Sequence, residues 1–371
     1  MPSSSTEPAP ARRDPIGLVL VVVLLGTVLL LLLIEGSASV LMSLREARHT
    51  LNLSEEAHAQ YDAELGWANR PGVHLPDLYG GGTPFTTNAQ GLRATEDHAA
   101  AAPPGRYRAV LLGDSFTMGF GVGDDATYPA QMQGLCPTLQ AINMGQGGYG
   151  LDQAYLWYRR DGAALNADLL VFAVIAHDFF RMVDDHFIGY AKPVLRDRGG
   201  TLSIENVPVP EVWQSRRLGR QAQAFVGSLA TARLVQWGLG KLSGPPEDRF
   251  YGHVPDEVLA AAGLAFDDLA QRAQASGQRF VLVYLPTAED LTHEGPTREA
   301  AWMADYARRT GVVFFNLMDE FSPLTAAQAG RLFRPIDGHY TPAGNRLVAE
   351  ALLRRLAAQV PGFPDCGAAT R

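Results

Sequence analysis

The chain predicts an α/β fold in which a parallel sheet is covered by helices on both faces. Two observations carry this. From Arg106 onward short apolar runs alternate with longer stretches of helical pattern, the order of a chain that crosses back over a sheet after each strand. The runs themselves, at residues 109–112, 139–143, 169–175, 280–285 and 312–316, are apolar without polar alternation, as strands buried on both sides require. A chain of 371 residues, 47% hydrophobic and 19% charged, is long enough to bury one large core plus an appendage.

Residues 1–15 are rich in Ser, Pro and Ala and predict a disordered tail. Residues 16–34, IGLVLVVVLLGTVLLLLLI, contain no charge. As a helix rising about 1.5 Å per residue, that run crosses a hydrocarbon core of about 30 Å. A cleavable signal peptide competes, because Gly36-Ser37-Ala38-Ser39 supplies small residues for cleavage. Signal hydrophobic regions run only roughly 7–15 residues, so an uncleaved transmembrane helix is favoured. Arg12 and Arg13 precede the run closely, while Arg45 and Arg48 lie further beyond it. That bias places the N-terminus in the cytoplasm and the rest outside, periplasmic or extracellular. Residues 35–104 form a stem and pre-domain segment, helical over about 40–60, with Trp67 and Leu92 as packing residues and 99–105, ending in AAAPPG, as a linker.

The main domain is expected over 105–360, followed by a tail at 361–371. Its centre is residues 107–121, YRAVLLGDSFTMGFG. Gly113-Asp114 breaks the first strand so that Ser115 opens a helix, at the carboxyl end of a strand where open α/β sheets bind ligands. An ordinary turn with Ser115 as helix cap has the same pattern, so the nucleophile reading depends on partners downstream. His339 is the candidate base, and Asp337 can approach its Nδ1 and hold the tautomer. Gly145, Gly147 and Gly148 form a loop that allows close backbone approach or a plain turn. An insertion, 179–256, interrupts the alternation; it reads as an aromatic and acidic segment, a hairpin around Arg198-Gly199-Gly200, and a helix over 221–238. Thr341-Pro342 caps and starts the last helix, through Leu356.

Net charge is −8 with no long basic cluster, which argues against a nucleic-acid partner. Cys136 and Cys366 are compatible with a disulfide outside the cytoplasm or with one buried and one free thiol. His177, Asp178, Asp184, Asp185 and His186 include ligand residue types but lack ligand spacing, so no metal and no cofactor are expected.

These motifs resemble those of the SGNH/GDSL hydrolases, serine esterases and acyl-transferring relatives built on a flavodoxin-like three-layer α/β/α sandwich with a five-stranded parallel sheet. The nucleophile motif is matched by Gly113-Asp114-Ser115, and the second motif by Asn143 and Gly148. The third, Gly-x-Asn-Asp, falls on Ile175-Ala176-His177-Asp178, with His177 at the position of the oxyanion Asn. The last is matched by DGHYTPAGN, where Asp337 and His339 are one residue closer than is usual. The resemblance covers about residues 61–356. YDAELGWANRPG, TTNAQGLRA and the Lys-Pro and NVPVP of the insertion are similar to the bacterial membrane-anchored branch. It implies catalytic Ser115, His339 and Asp337, an oxyanion hole from Ser115, Gly148 and His177, and supporting roles for Asp114, Asn143 and Asp178. The implied function is a membrane-anchored extracytoplasmic ester hydrolase acting on an acylated, above all acetylated, carbohydrate or another ester. Two alternatives stand beside it. One is an O-acyltransferase using the same serine alongside polysaccharide-modification partners; the other is a decayed carbohydrate-binding or assembly subunit, which the His177 departure favours.

Overall fold

The computed structural model describes residues 15–46, 57–187, 190–210, 254–292 and 295–367. The predicted tail up to Asp14, the middle of the stem and the helix expected at 221–238 lie outside the described residues. The chain divides into two compact units. The described part of the first is one helix, α1 (Pro15–Glu46). Its apolar stretch Val19–Val40, 22 residues with mean hydropathy 2.8, is long and apolar enough to cross a membrane; by length and composition it also fits a signal sequence. The helix continues past Ile34, where the sequence predicted the span to end; no proline follows to stop it.

The second unit begins with two antiparallel pairs, β1 (Ala59–Asp62) with β2 (Gly66–Asn69) and β3 (His74–Leu75) with β4 (Phe85–Thr86). Then come β5 (Tyr107–Gly113), α2 (Ser115–Met118), α3 (Tyr128–Leu135), β6 (Leu139–Gly145), α4 (Leu151–Arg160), β7 (Leu169–Val174) and α5 (Ala176–Arg181). Within the insertion, β8 (His186–Phe187) pairs with β9 (Tyr190–Ala191), and β10 (Val194–Asp197) with β11 (Leu202–Glu205). The latter pair turns at Gly199 and Gly200, both at positive φ. The chain ends with α6 (Asp256–Ser276), β12 (Arg279–Tyr284), α7 (Arg298–Thr310), β13 (Val313–Asn316), α8 (Met318–Phe321), α9 (Ala326–Ala329) and α10 (Pro342–Gln359).

Five strands form one parallel sheet in the order β13-β12-β7-β5-β6. Counted along the chain this is 2-1-3-4-5, the flavodoxin-like order, whose direction reverses between β5 and β7 and opens a crevice at their carboxyl ends. Alternate residues of each strand serve opposite faces. Val110 and Leu112 join a core with α4, α6 and α7, while Ala109 and Leu111 join a second core with α3 and α10. Three layers follow, as the apolar runs predict. α2 sits directly on the ends of β5 and β6: a Cβ on Gly145 would stand 2.0 Å from the Met118 nitrogen, and one on Gly113 2.1 Å from Thr117 Oγ1.

Residues 57–98 belong to the same packing. Leu65, Trp67 and Leu92 are buried in the first core, and the Arg93 guanidinium donates to the carbonyls of Met118 (2.7 Å), Gly119 (2.6 Å) and Val122 (2.6 Å) just after α2. Arg108 likewise donates to the carbonyls of Ala99, Ala100 and Ala101, which fastens the predicted linker to β5. At the opposite end of the domain Cys136 and Cys366 form a disulfide across 230 residues of sequence, and Phe363 packs edge-on against Tyr107 at 5.4 Å.

Candidate active site

β5 delivers Ser115 to the crevice. Asp114 caps α2, its Oδ1 accepting the Phe116 N–H at 2.8 Å, so Ser115 takes the first helical position with its side chain beside the sheet end. From the far end of the chain, the loop before α10 brings His339 Nε2 to 2.8 Å of Ser115 Oγ. Asp337 Oδ1 lies 3.2 Å from His339 Nδ1 and also accepts the His339 backbone N–H at 3.1 Å. The short Asp-x-His spacing closes because Gly338 adopts φ +72°, a left-handed conformation that glycine reaches without cost from a side chain. A carboxylate can only accept, so the proton of the neutral imidazole sits on Nδ1 and the Nε2 lone pair faces the serine.

The loop is braced on three sides. Arg334 Nε donates to both Asp337 oxygens, at 3.2 and 2.9 Å, and its guanidinium also donates to the Gly121 carbonyl. Burial on its own raises the Asp337 pKa, but hydrogen bonds from the His339 side chain and backbone and the Arg334 charge take it below the usual carboxylate value. Phe116 and Phe120 flank the imidazole with ring centroids 4.8 and 4.7 Å away.

Asp114 and Asp178 meet in a second cluster behind the serine. Arg181 Nη1 donates to Asp178 (2.7 Å), to the Tyr149 carbonyl (2.8 Å) and to Asp114 (3.0 Å). Asp178 also accepts the Ile175 N–H at 3.0 Å, so it holds the start of α5. Burial and the neighbouring Asp114 charge push its carboxyl well above the ordinary range, against the pull of Arg181. Asn143 is a brace too: its Nδ2 donates to the Thr117 carbonyl and its Oδ1 accepts the Gly145 N–H, both at 2.9 Å.

Gly148 has φ +72°, and the Phe187 and Trp67 rings approach it so closely that a Cβ would meet them at 3.3 to 3.4 Å. Among the described residues neither the Ser115 N–H nor the Gly148 N–H finds an acceptor, which leaves both available to a developing oxyanion. His177, the second residue of α5, stands with Nε2 3.7 Å from Glu289 Oε2. Its pKa is lowered to about 4 by burial, with the Arg181 and His339 charges acting in the same direction and Asp114 opposing them. At neutral pH the ring is therefore a neutral donor, as an amide would be. We expect His177→Asn to leave the shape of the kcat/KM profile unchanged between pH 5 and 8, because His177 has already lost its proton below that window. A midpoint that moves with the substitution, on a p-nitrophenyl ester, would show that the ring titrates there.

Ser115, His339 and Asp337 thus lie in one hydrogen-bonded chain, and Asp114, Asn143 and Asp178 hydrogen-bond to backbone groups of the loops and helix starts near it. Among the described residues no group of three His, Cys, Asp or Glu side chains is arranged to hold a metal. Arg181 and Arg334 were not legible as site residues. A signal existed for Arg181, which lies three residues after Asp178 on one helix face.

No family model and no curated protein matches the chain. Solved structures do resemble it. An acetylxylan esterase from Geobacillus stearothermophilus is 16% identical with a TM-score of 0.40, over 70% of this chain and 95% of that one. A member of the lipolytic G-D-S-L family from Veillonella parvula is 12% identical with a TM-score of 0.39, over 68% of this chain and 100% of that one. An alpha/beta hydrolase enzyme from the metagenome of Lake Arreo, Spain, is 16% identical with a TM-score of 0.40, over 68% of this chain and 94% of that one.

Proposed function

We propose that the chain is a membrane-anchored serine ester hydrolase of the SGNH/GDSL type, working outside the cytoplasm on an acylated, above all acetylated, carbohydrate. One observation carries the chemistry: the continuous line from Ser115 Oγ through His339 to Asp337, at 2.8 and 3.2 Å. A serine hydroxyl is a poor nucleophile unless a base takes its proton during attack. In this reading His339 Nε2 accepts that proton as Oγ bonds to the ester carbonyl carbon. The carbonyl oxygen becomes an oxyanion between the Ser115 and Gly148 N–H groups, with His177 as a side-chain donor. The imidazolium, stabilised by Asp337, then protonates the leaving alcohol, and water repeats the sequence to release the acid and restore the serine.

The location rests on α1, on Arg12 and Arg13 before it, and on the Cys136–Cys366 disulfide, a bond that persists in oxidising compartments. Protease added to intact spheroplasts is expected to remove residues beyond α1 and spare the N-terminus. The substrate class is tested by incubating the protein with acetylated polysaccharides and measuring free acetate, with and without a competing sugar acceptor. Acetate released at a rate independent of the acceptor supports hydrolysis. Acetyl appearing on the acceptor would instead mark a transferase, and turnover of p-nitrophenyl acetate with no loss of polysaccharide acetyl would remove the carbohydrate from the proposal.

A further inference from the structure

The Gly147-Gly148 peptide has no side chain of its own to fix it. Rotation about the two bonds that flank such a peptide turns its plane over while the chain on either side stays in place, and glycine on both sides removes the steric barrier to that movement. An N–H that must meet an oxyanion cannot be left free to turn away, since electrostatic stabilisation depends on donors already aimed at the developing charge.

Two hydrogen bonds from residue 67 bracket this peptide. Trp67 Nε1–H donates to the Gly147 carbonyl at 2.9 Å, and the Trp67 carbonyl accepts the Tyr149 hydroxyl at 2.6 Å. The indole is buried at 6% exposure and meets the Tyr149 ring edge-on at 5.7 Å. The peptide between Gly147 and Gly148 is trans, since the cis bond in the described chain is Val207-Pro208. In a trans peptide the C=O and the following N–H point in opposite directions. Once the indole holds the Gly147 oxygen, the direction of the Gly148 N–H is set. A flip would carry the carbonyl off its donor and leave both groups without partners in a buried place.

We infer that Trp67, on β2 and far upstream of the serine motif, is a positioning residue that holds the Gly148 N–H in its oxyanion-binding direction. It touches no reacting atom; it acts through the Gly147 carbonyl. The inference rests on the hydrolase reading given above, and it adds a contribution to catalysis from a segment outside the strand-helix alternation.

The test is Trp67→Phe in the full-length protein in detergent, which keeps an aromatic ring at the site and removes the N–H donor. Loss of a complete oxyanion donor costs roughly 10²–10³ in kcat, and a donor that is present but no longer held is expected to cost about 10- to 100-fold. The loss should fall on kcat for p-nitrophenyl acetate with KM within about twofold, and the affinity for phenylboronic acid, whose serine adduct places an oxygen in the same hole, should fall in parallel. A packing role alone would instead lower Tm and leave kcat and boronate affinity unchanged in the folded fraction, and that result overturns the inference. Trp67→His, which restores a ring N–H, should recover part of kcat. If the wild type shows no Ser115-dependent turnover, the hydrolase reading fails separately. In that case the mobility of the Gly148 amide, read as its NMR order parameter, decides the positioning: unchanged in Trp67→Phe, it overturns the inference; lowered, it supports the indole's hold on the peptide.

Discussion

Ser115→Ala is expected to lower ester turnover by about 10⁴-fold or more in kcat while leaving Tm unchanged. The removed Oγ contacts His339 Nε2 at 2.8 Å and, at a long 3.4 Å, Asp114 Oδ2. Neither partner is stranded by the change: the His339 side chain keeps 18% exposure and can turn to water, and Asp114 retains Phe116 N–H and Arg181. The fold therefore loses little, whereas the chemistry loses its nucleophile. What remains is the background that backbone donors and substrate binding supply, roughly 10³–10⁴ over water in enzymes that use such triads. Release of p-nitrophenol from a short-chain ester, followed beside thermal unfolding, checks both halves. Undiminished turnover in a folded variant would remove Ser115 from the mechanism.

Asp337→Asn is expected to cost about 10⁴-fold in kcat, the scale set by the same change in a well-studied triad. Asparagine can present an N–H to His339 Nδ1, and the ring proton then moves to Nε2, where it faces the serine and blocks proton transfer. The charge that steadies the imidazolium goes with it. Arg334 loses its carboxylate partner as well, so loosening of the loop adds to the effect. A pH consequence follows from the depressed Asp337 pKa. For a carboxylate lowered on folding, the stabilising contribution is fully present above its unfolded value, about 3.8, and is lost as pH falls through the lower folded value. Wild-type activity and Tm should therefore show no Asp337 protonation above pH 4. If kcat for Asp337→Asn stays within about tenfold of wild type, a different acceptor orients His339.

The sheet was legible because its strands are short apolar runs with no polar face, and each of the five runs lies within a residue or two of a strand. The edges moved for a physical reason. β5 starts at Tyr107, two residues before the apolar run, because Arg108 is buried with its guanidinium satisfied by carbonyls of the preceding segment; an arginine in sequence reads as solvent-facing. Ser115, His339 and Asp337 stood out because glycines and a helix start surround them. Trp67 is legible only as a packing residue, and the Cys136–Cys366 pairing carries no local pattern, since each meets a partner that only the folded domain brings near; Arg334 lies just three residues before Asp337, but its other partner, the Gly121 carbonyl, is supplied by the fold. Asp337 shows the limit of spacing as a guide: one residue fewer before the histidine is absorbed by the positive φ of Gly338.

Arg93 and Arg108 bear on how a shortened version of this protein can be produced. Cutting the chain at the proline-containing stretch near residue 103 would discard the guanidinium that grips the turn after the serine, strip the carbonyls that receive Arg108, and remove the indole beside the glycine loop. A secreted version that begins just upstream of residue 57 would keep all three.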